Sequence, residues 1–235
     1  MKKILDAMRQ ELTMLADDNT RISGERFFKE AVNLYGVKTA IVTALGKKYF
    51  NEVGHLPKQE VFLLCEELWK SNYMEESFIA CNWSYAMKMQ FAPDDFEIFR
   101  RWIDTYVSNW ASCDTFCNHT LGEFIIRYPS YLASLKEFTL SENRWMRRAA
   151  AVSLIVPARK GMFLSEIIDI SDSLLLDKDD LVQKGYGWML KVASQVYQQA
   201  IFDYVMKNKT LMPRTALRYA IEKMPADLKA IAMRK

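Results

Sequence analysis

Apolar residues recur at helical spacing almost from end to end of the chain, and no stretch shows the strict alternation of a half-buried strand. Ile4, Leu5, Met8, Leu12 and Leu15 form one stripe. Val61, Leu64, Cys65, Leu68 and Trp69 form a second, and Phe96, Phe99, Ile103, Tyr106 and Val107 a third. A period near 3.6 gathers each set on one helix face. The third stripe opens on Pro93, Asp94 and Asp95, a first turn of proline plus acids that suits the positive end of a helix. Pro57, Pro129 and Pro213 mark similar starts, while Gly36, Gly54 and Gly161 mark stops. These signals predict about a dozen helices of roughly 10 to 18 residues with short connections.

No connection is long or rich in Pro, Gly or Ser, so residues 1–235 read as a single domain. Successive helices pair at a spacing of roughly 35 to 40 residues, the range of helical solenoid repeats, although the sequence self-similarity is poor. The expected architecture is all-α: a curved solenoid of HEAT-like antiparallel helix pairs whose inner helices line a concave surface. A compact irregular helical bundle is the alternative.

Half the residues are apolar and 26% charged, a globular composition. No apolar run approaches the ~20 residues that span a bilayer. The start, MKKILDAMRQELTMLADD, carries Asp6, Arg9 and Glu11 through its apolar positions and reads as a charged amphipathic helix, not a secretion signal. A cytoplasmic location follows as the expectation. Four cysteines in 235 residues are too few for a disulfide framework and read as small buried side chains. The net charge of +3 conceals an asymmetry. From Ser141 to Lys235 there are 16 Lys+Arg against 10 Asp+Glu, a balance of +6, and the remaining 140 residues hold 16 against 19. A basic C-terminal half suits a polyanion such as nucleic acid, and also suits a merely well-solvated face.

Several chemistries find no support. Cys113, Cys117 and His119 make a C-x3-C-x-H run, but His119 points away from the helix face shared by the cysteines, and no second ligand pair exists for a structural zinc. No metal and no cofactor is expected. There is no G-x-S-x-G elbow, no P-loop and no dinucleotide fingerprint. What stands out in NWASCDTFCN is Trp110 and Asp114, which share a helix face at i, i+4. A surface aspartate beside a core aromatic would give the same pattern. Two further segments bear on the choice. ENRWMRRAAAVSLIVPARKG sets Arg144, Arg147, Arg148, Arg159 and Lys160 around a strongly apolar helix; such arginines suit bidentate phosphate contacts from a groove, or else snorkel and pair with acids. DDLVQKGYGWMLKVA places Gly185 and Gly187 in mid-helix, each costing about 1 kcal/mol against alanine, which implies a close approach by a neighbouring helix or by a ligand backbone.

Taken in order, NWASCD, RWMRRAA, LVQKGYGWMLK and RTALRYAIEKM make the chain, from about Glu25 to Ile221, resemble the DNA alkylation repair family of HEAT-like alkylpurine DNA glycosylases, the AlkD type. The resemblance implies a concave basic groove that holds duplex DNA containing alkylated bases. It also implies hydrolysis of the N-glycosidic bond of N3- and N7-alkylpurines, by an enzyme expected to act as a monomer at the nucleoid. By motif, Asp114 matches the catalytic carboxylate, Trp110 and Trp188 the aromatic pair at the lesion's deoxyribose, and Arg148 the arginine beside them. Thr39 matches a backbone-contacting threonine, Lys191 and Arg218 fall where the family places basic residues and are expected to contact phosphates, and Arg147 of the arginine cluster is a further DNA-backbone candidate. Two departures stand out. Phe27 aligns with a tyrosine of the family, and Ala40, Ile41, Val42 and Thr43 replace basic residues expected after the threonine. A non-catalytic DNA-binding HEAT relative is the alternative function, and a protein-binding helical array a more distant one.

Overall fold

The computed structural model describes residues 2–234. Among them every regular element is helical, and the one strand-like pairing is an isolated bridge between Asn33 and Tyr73. The chain divides into two compact units between Phe116 and Cys117. The first holds α1 (Lys2–Met14), α2 (Asp18–Glu25), α3 (Thr39–Val53), α4 (Lys58–Lys70), α5 (Met74–Ala86), α6 (Asp95–Tyr106) and α7 (Trp110–Phe116). The second opens with a π-helical stretch, Cys117–Leu121. It continues with α8 (Gly122–Arg127), α9 (Leu132–Glu137), α10 (Arg144–Val152), α11 (Ile155–Arg159) and α12 (Leu164–Leu174). α13 (Asp180–Ala193), α14 (Gln198–Asn208), α15 (Arg214–Ala220) and α16 (Ala226–Met233) complete it.

The helices are more numerous and shorter than the apolar spacing suggests, because several apolar runs are cut by tight turns the stripe does not reveal. Pro57 and Pro213 precede α4 and α15, and α6 begins at Asp95 as its acidic turn requires. Pro129, by contrast, opens only a 3-10 turn, Pro129–Tyr131. Gly54 caps α3 and Gly161, at φ +70°, follows the short α11. Gly36 is no helix stop. It lies in the connection before α3 at φ +89°, where a Cβ would stand 2.4 Å from the Asp17 carbonyl oxygen.

In the first unit α1 packs on α3, α3 on α5 and α5 on α7, while α4 packs on α5 and α6. Most of the expected stripes face inward: Leu5, Met8 and Leu12 of α1, all five named residues of α4, and Phe96, Phe99 and Ile103 of α6 are buried, whereas Leu15 lies past the end of α1 and is exposed. Phe116, at the end of α7, enters an aromatic cluster with Trp69, Phe99 and Trp102 at centroid distances of 5.8, 5.6 and 5.9 Å. One polar tie crosses this core. Lys58 Nζ donates to Asp95 Oδ2 at 2.7 Å and to the Gln90 carbonyl at 2.9 Å, and both side chains are buried. Asp95 also accepts from the Ala92 backbone N–H, so the start of α6 is held to the start of α4. In the second unit α13 is central, packing on α10, α11, α12, α14 and α15.

Removing one partner of a buried pair strands the other charge in a poorly solvated place. Lys58→Met should therefore lower stability by about 3–5 kcal/mol. A denaturant titration checks this, and Asp95→Leu added to the same protein should recover much of the loss.

Candidate active site

In the first unit the site is built on α7. Asn109 starts that helix, its Oδ1 accepting from the Ser112 backbone N–H at 2.9 Å, an N-cap bond. Trp110 and Asp114 stand on one face and are half-buried, while Ser112, Cys113 and Phe116 turn inward. Ser112 Oγ lies 2.6 Å from Ser77 Oγ of α5, both buried, which fixes the inner face of α7. The Trp110 ring stacks on Phe28, with centroids 5.3 Å apart and planes 24° apart. The aligned Phe27 is 73% exposed instead. Two phenylalanines in succession point different ways, and a sequence alone offers no means to choose between them. Thr39 is the first residue of α3 and is exposed, as are Ala40 and Ile41; Lys38, just before them, is the exposed cation at this turn.

Three residues at the start of α5 organise this unit and were not singled out from the sequence. Glu75, 2% exposed, accepts the backbone N–H groups of Tyr35, Gly36 and Val37 at 3.1, 2.8 and 3.1 Å. Glu76, fully buried, takes the guanidinium of Arg9 at 2.8 Å and the hydroxyl of Tyr35 at 2.8 Å. Burial and the bond to Glu76 hold the Tyr35 phenol well above its usual range. Ser77 then reaches α7. Acids in a first turn normally complement the helix dipole from the surface, and that ordinary expectation hid these two.

In the second unit the candidates lie on α10, α13 and α15. Asn143 caps α10 through the Trp145 backbone N–H at 2.9 Å. Arg147 is held by the chain around it: Nε donates to Asp177 at 2.6 Å, and Nη1 to the Ser141 and Glu142 carbonyls at 2.8 and 2.9 Å. Arg148 leaves the other side of α10 and is 5% exposed, with Nη1 donating to the Leu181 carbonyl of α13. Gly185 lies one turn beyond Leu181, and a Cβ there would stand 3.3 Å from Arg148 Cγ and 3.5 Å from its Nη1. Trp188, half-buried, is one turn further along the same face. Lys191 follows, its Nζ 3.0 Å from Glu222 and 5.4 Å from the centre of the Tyr219 ring. Arg218 on α15 is exposed and has no ion pair among the described residues.

Both mid-helix glycines thus mark close approaches from within the protein. Gly185 meets the Arg148 side chain, whereas Gly187 meets α15: a Cβ would stand 2.7 Å from Tyr219 Cβ and 2.9 Å from the Ala216 carbonyl oxygen. Among the described residues no three His, Cys, Asp or Glu side chains are grouped to hold a metal ion, and no helix is long and apolar enough to cross a membrane. All four cysteines are free and buried, and burial pushes the Cys65 and Cys81 thiols far up.

The family model described as "DNA alkylation repair enzyme" matches residues 8–224. The chain belongs to the DNA alkylation repair enzyme family. It is therefore a DNA repair enzyme, and DNA is the class of molecule it acts on. A solved structure described as a predicted DNA alkylation repair enzyme from Enterococcus faecalis has the same fold, with a TM-score of 0.81 over 90% of this chain and 97% of that one, at 16% identity. No curated protein matches the sequence.

At Gly187 the obstacle to a side chain is backbone, which cannot swing aside. Gly187→Ala should cost about 1–3 kcal/mol by overpacking, set against the roughly 1 kcal/mol that alanine gains in a helix. The expected result is a lowered melting temperature, measured by circular dichroism.

Proposed function

We propose that this repair enzyme is a DNA glycosylase that hydrolyses the N-glycosidic bond of cationic N3- and N7-alkylpurines in duplex DNA. One observation carries the reading: a half-buried carboxylate, Asp114, shares the outward face of α7 with a stacked tryptophan, while the inner face of that helix is bolted to α5. An N3- or N7-alkylated purine already carries positive charge and leaves as a neutral base. Ordinary glycosidases need a second carboxyl group to protonate the leaving group. Here the lesion supplies that charge, and one carboxylate is enough.

Asp114 stabilises the oxocarbenium charge that develops on the sugar and aligns the attacking water. Trp110 and Trp188 present their π faces to the cationic nucleotide and exclude bulk water, which strengthens the attraction. Arg148 holds the lesion's phosphate so that the sugar does not drift. Thr39, Lys191 and Arg218 contact the DNA backbone, while Arg147, expected there from the sequence, is tied to Asp177 and two carbonyls and adds only its charge to the field. Within each unit helices contact near neighbours in sequence, which supports HEAT-like helix pairs, and residues 1–235 as one functional domain belong to the same proposal. A concave basic groove, a monomer and action at the nucleoid in the cytoplasm complete the reading. Selection rests on the lability of the cationic lesion and not on base-edge contacts, so binding depends little on sequence.

Release of N7-methylguanine from a duplex with a single lesion tests the chemistry. Asp114→Asn should lose roughly 100- to 10 000-fold in rate while still binding DNA. Absence of release by the wild-type enzyme, with binding intact, would make the chain a non-catalytic DNA-binding relative. Binding should also weaken steeply with salt, with log K falling by about 0.9 per phosphate contacted in each decade of salt. Arg218→Ala should reduce that slope by about one, and an unchanged slope would remove Arg218 from the interface.

A further inference from the structure

We infer that Gly185 is a positioning residue that sets the location of the Arg148 guanidinium by having no side chain. This rests on the role proposed above for Arg148 at the DNA backbone. Arg148 leaves α10 and crosses the surface of α13 between Leu181 and Gly185, its Nη1 bonded to the Leu181 carbonyl. The crossing is nearly solvent-free, since Arg148 is only 5% exposed. An added Cβ at 185 would meet Arg148 Cγ at 3.3 Å, Arg148 Nη1 at 3.5 Å and Val152 Cγ1 at 3.6 Å. The distances to Nη1 and to Val152 are ordinary contacts, and only Arg148 Cγ is close enough to have to give way, so what yields is the arginine and not the helix packing.

Gly187 is constrained differently. There the nearest atoms include the backbone of Ala216, and the glycine serves the fit of α13 to α15. At Gly185 a methyl group presses on Cγ, near the root of the arginine. A displacement of a few tenths of an ångström at that atom grows along the three further bonds to the guanidinium. The plane of the charged group then turns away from the Leu181 carbonyl that orients it. Trp188 sits one turn on along the same face, so the arginine would move relative to the tryptophan with which it is proposed to act. Small misplacements of a positioning group are enough to slow a reaction by large factors.

The test is a double-mutant cycle on the full chain, with Arg148→Ala, Gly185→Ala and the two together. Three measurements are made on each: melting temperature, single-turnover release of N7-methylguanine from duplex DNA, and the salt slope of duplex binding. Gly185→Ala should melt close to the wild type and release base about 10-fold more slowly or worse. The double variant should be no slower than Arg148→Ala, because the glycine acts only through the arginine. Each single variant should lower the salt slope by about one, and the double no further. A wild-type rate in Gly185→Ala beside an impaired Arg148→Ala would overturn the inference and leave the glycosylase reading intact. Additive losses, or failure of Gly185→Ala to fold, would overturn it as well, since the glycine would then be structural. An unimpaired Arg148→Ala would overturn it by removing the arginine from the reaction. If the wild type releases no base, the glycosylase reading falls, and the salt slopes still decide the inference by the same comparison.

Discussion

A buried carboxylate that accepts three successive backbone N–H groups does the work of a small sheet, and the first unit is arranged around one. Glu75 holds Tyr35, Gly36 and Val37, in a connection fixed also by an isolated bridge, a stacked pair of tyrosines and the Asp17 backbone N–H donating to the Gly36 carbonyl. That connection carries Phe28 at one end and delivers Thr39 to the start of α3 at the other. The next two residues extend the device, Glu76 to α1 and Ser77 to α7. Three adjacent residues at one helix start thus join α1, the long connection and the helix of Asp114. Each bond to an ionised acceptor is stronger than its neutral counterpart, and burial protects it from competing water.

The second unit solves a different problem, that of lodging a guanidinium among packed helices. A charge so poorly exposed is tolerable only where it is hydrogen-bonded. Arg148 finds a helix carbonyl at Leu181, and it reaches that carbonyl because α13 lacks a side chain at 185. The helix loses conformational stability at each of its glycines, about 1 kcal/mol apiece. One of these losses allows the arginine to cross, and the other allows α15 to approach. α13 has enough packing partners to remain helical in spite of both, since it is covered by helices from both sides of the sequence.

Much of this was legible in the order of residues. Helical periodicity announced an all-α chain, and the inward stripes of α1, α4 and α6 lie where their spacing put them. The i, i+4 relation of Trp110 and Asp114 needs only that α7 be a helix, and the mid-helix glycines rightly signalled close approaches. What could not be read was the identity of partners distant in sequence. Nothing in the sequence singles out Glu75 and Glu76, because a local window shows charge and not cover. Phe27 and Phe28 were indistinguishable for the same reason, and Gly36 resembled a helix stop because a positive φ serves a turn in a loop as readily as one at a helix end. Helix lengths failed where 3-10 and π-helical turns, at Phe138–Leu140 and Cys117–Leu121, broke runs that are continuous in hydrophobicity.

The basic balance of the C-terminal half takes on a different meaning once its partners are known. Arg147 is tied to a largely buried Asp177 and to two carbonyls, so extracting it for a phosphate would leave a carboxylate and two acceptors unpaired. Its charge still contributes to the field felt by DNA, but its geometry belongs to the loops around α10. Lys191 differs, because the Glu222 it meets is half-exposed. A surface pair of that kind is worth about 0–1 kcal/mol. A phosphate can replace Glu222 as its partner at little cost, and the lysine would move only its outer atoms to do so. Arg159, Lys160 and Arg218 are exposed, with no ion pair among the described residues. The surplus of +6 is therefore divided between cations that build the fold and cations that remain available to a polyanion. It is the second group, smaller than the count suggests, whose removal should register in the salt dependence of binding.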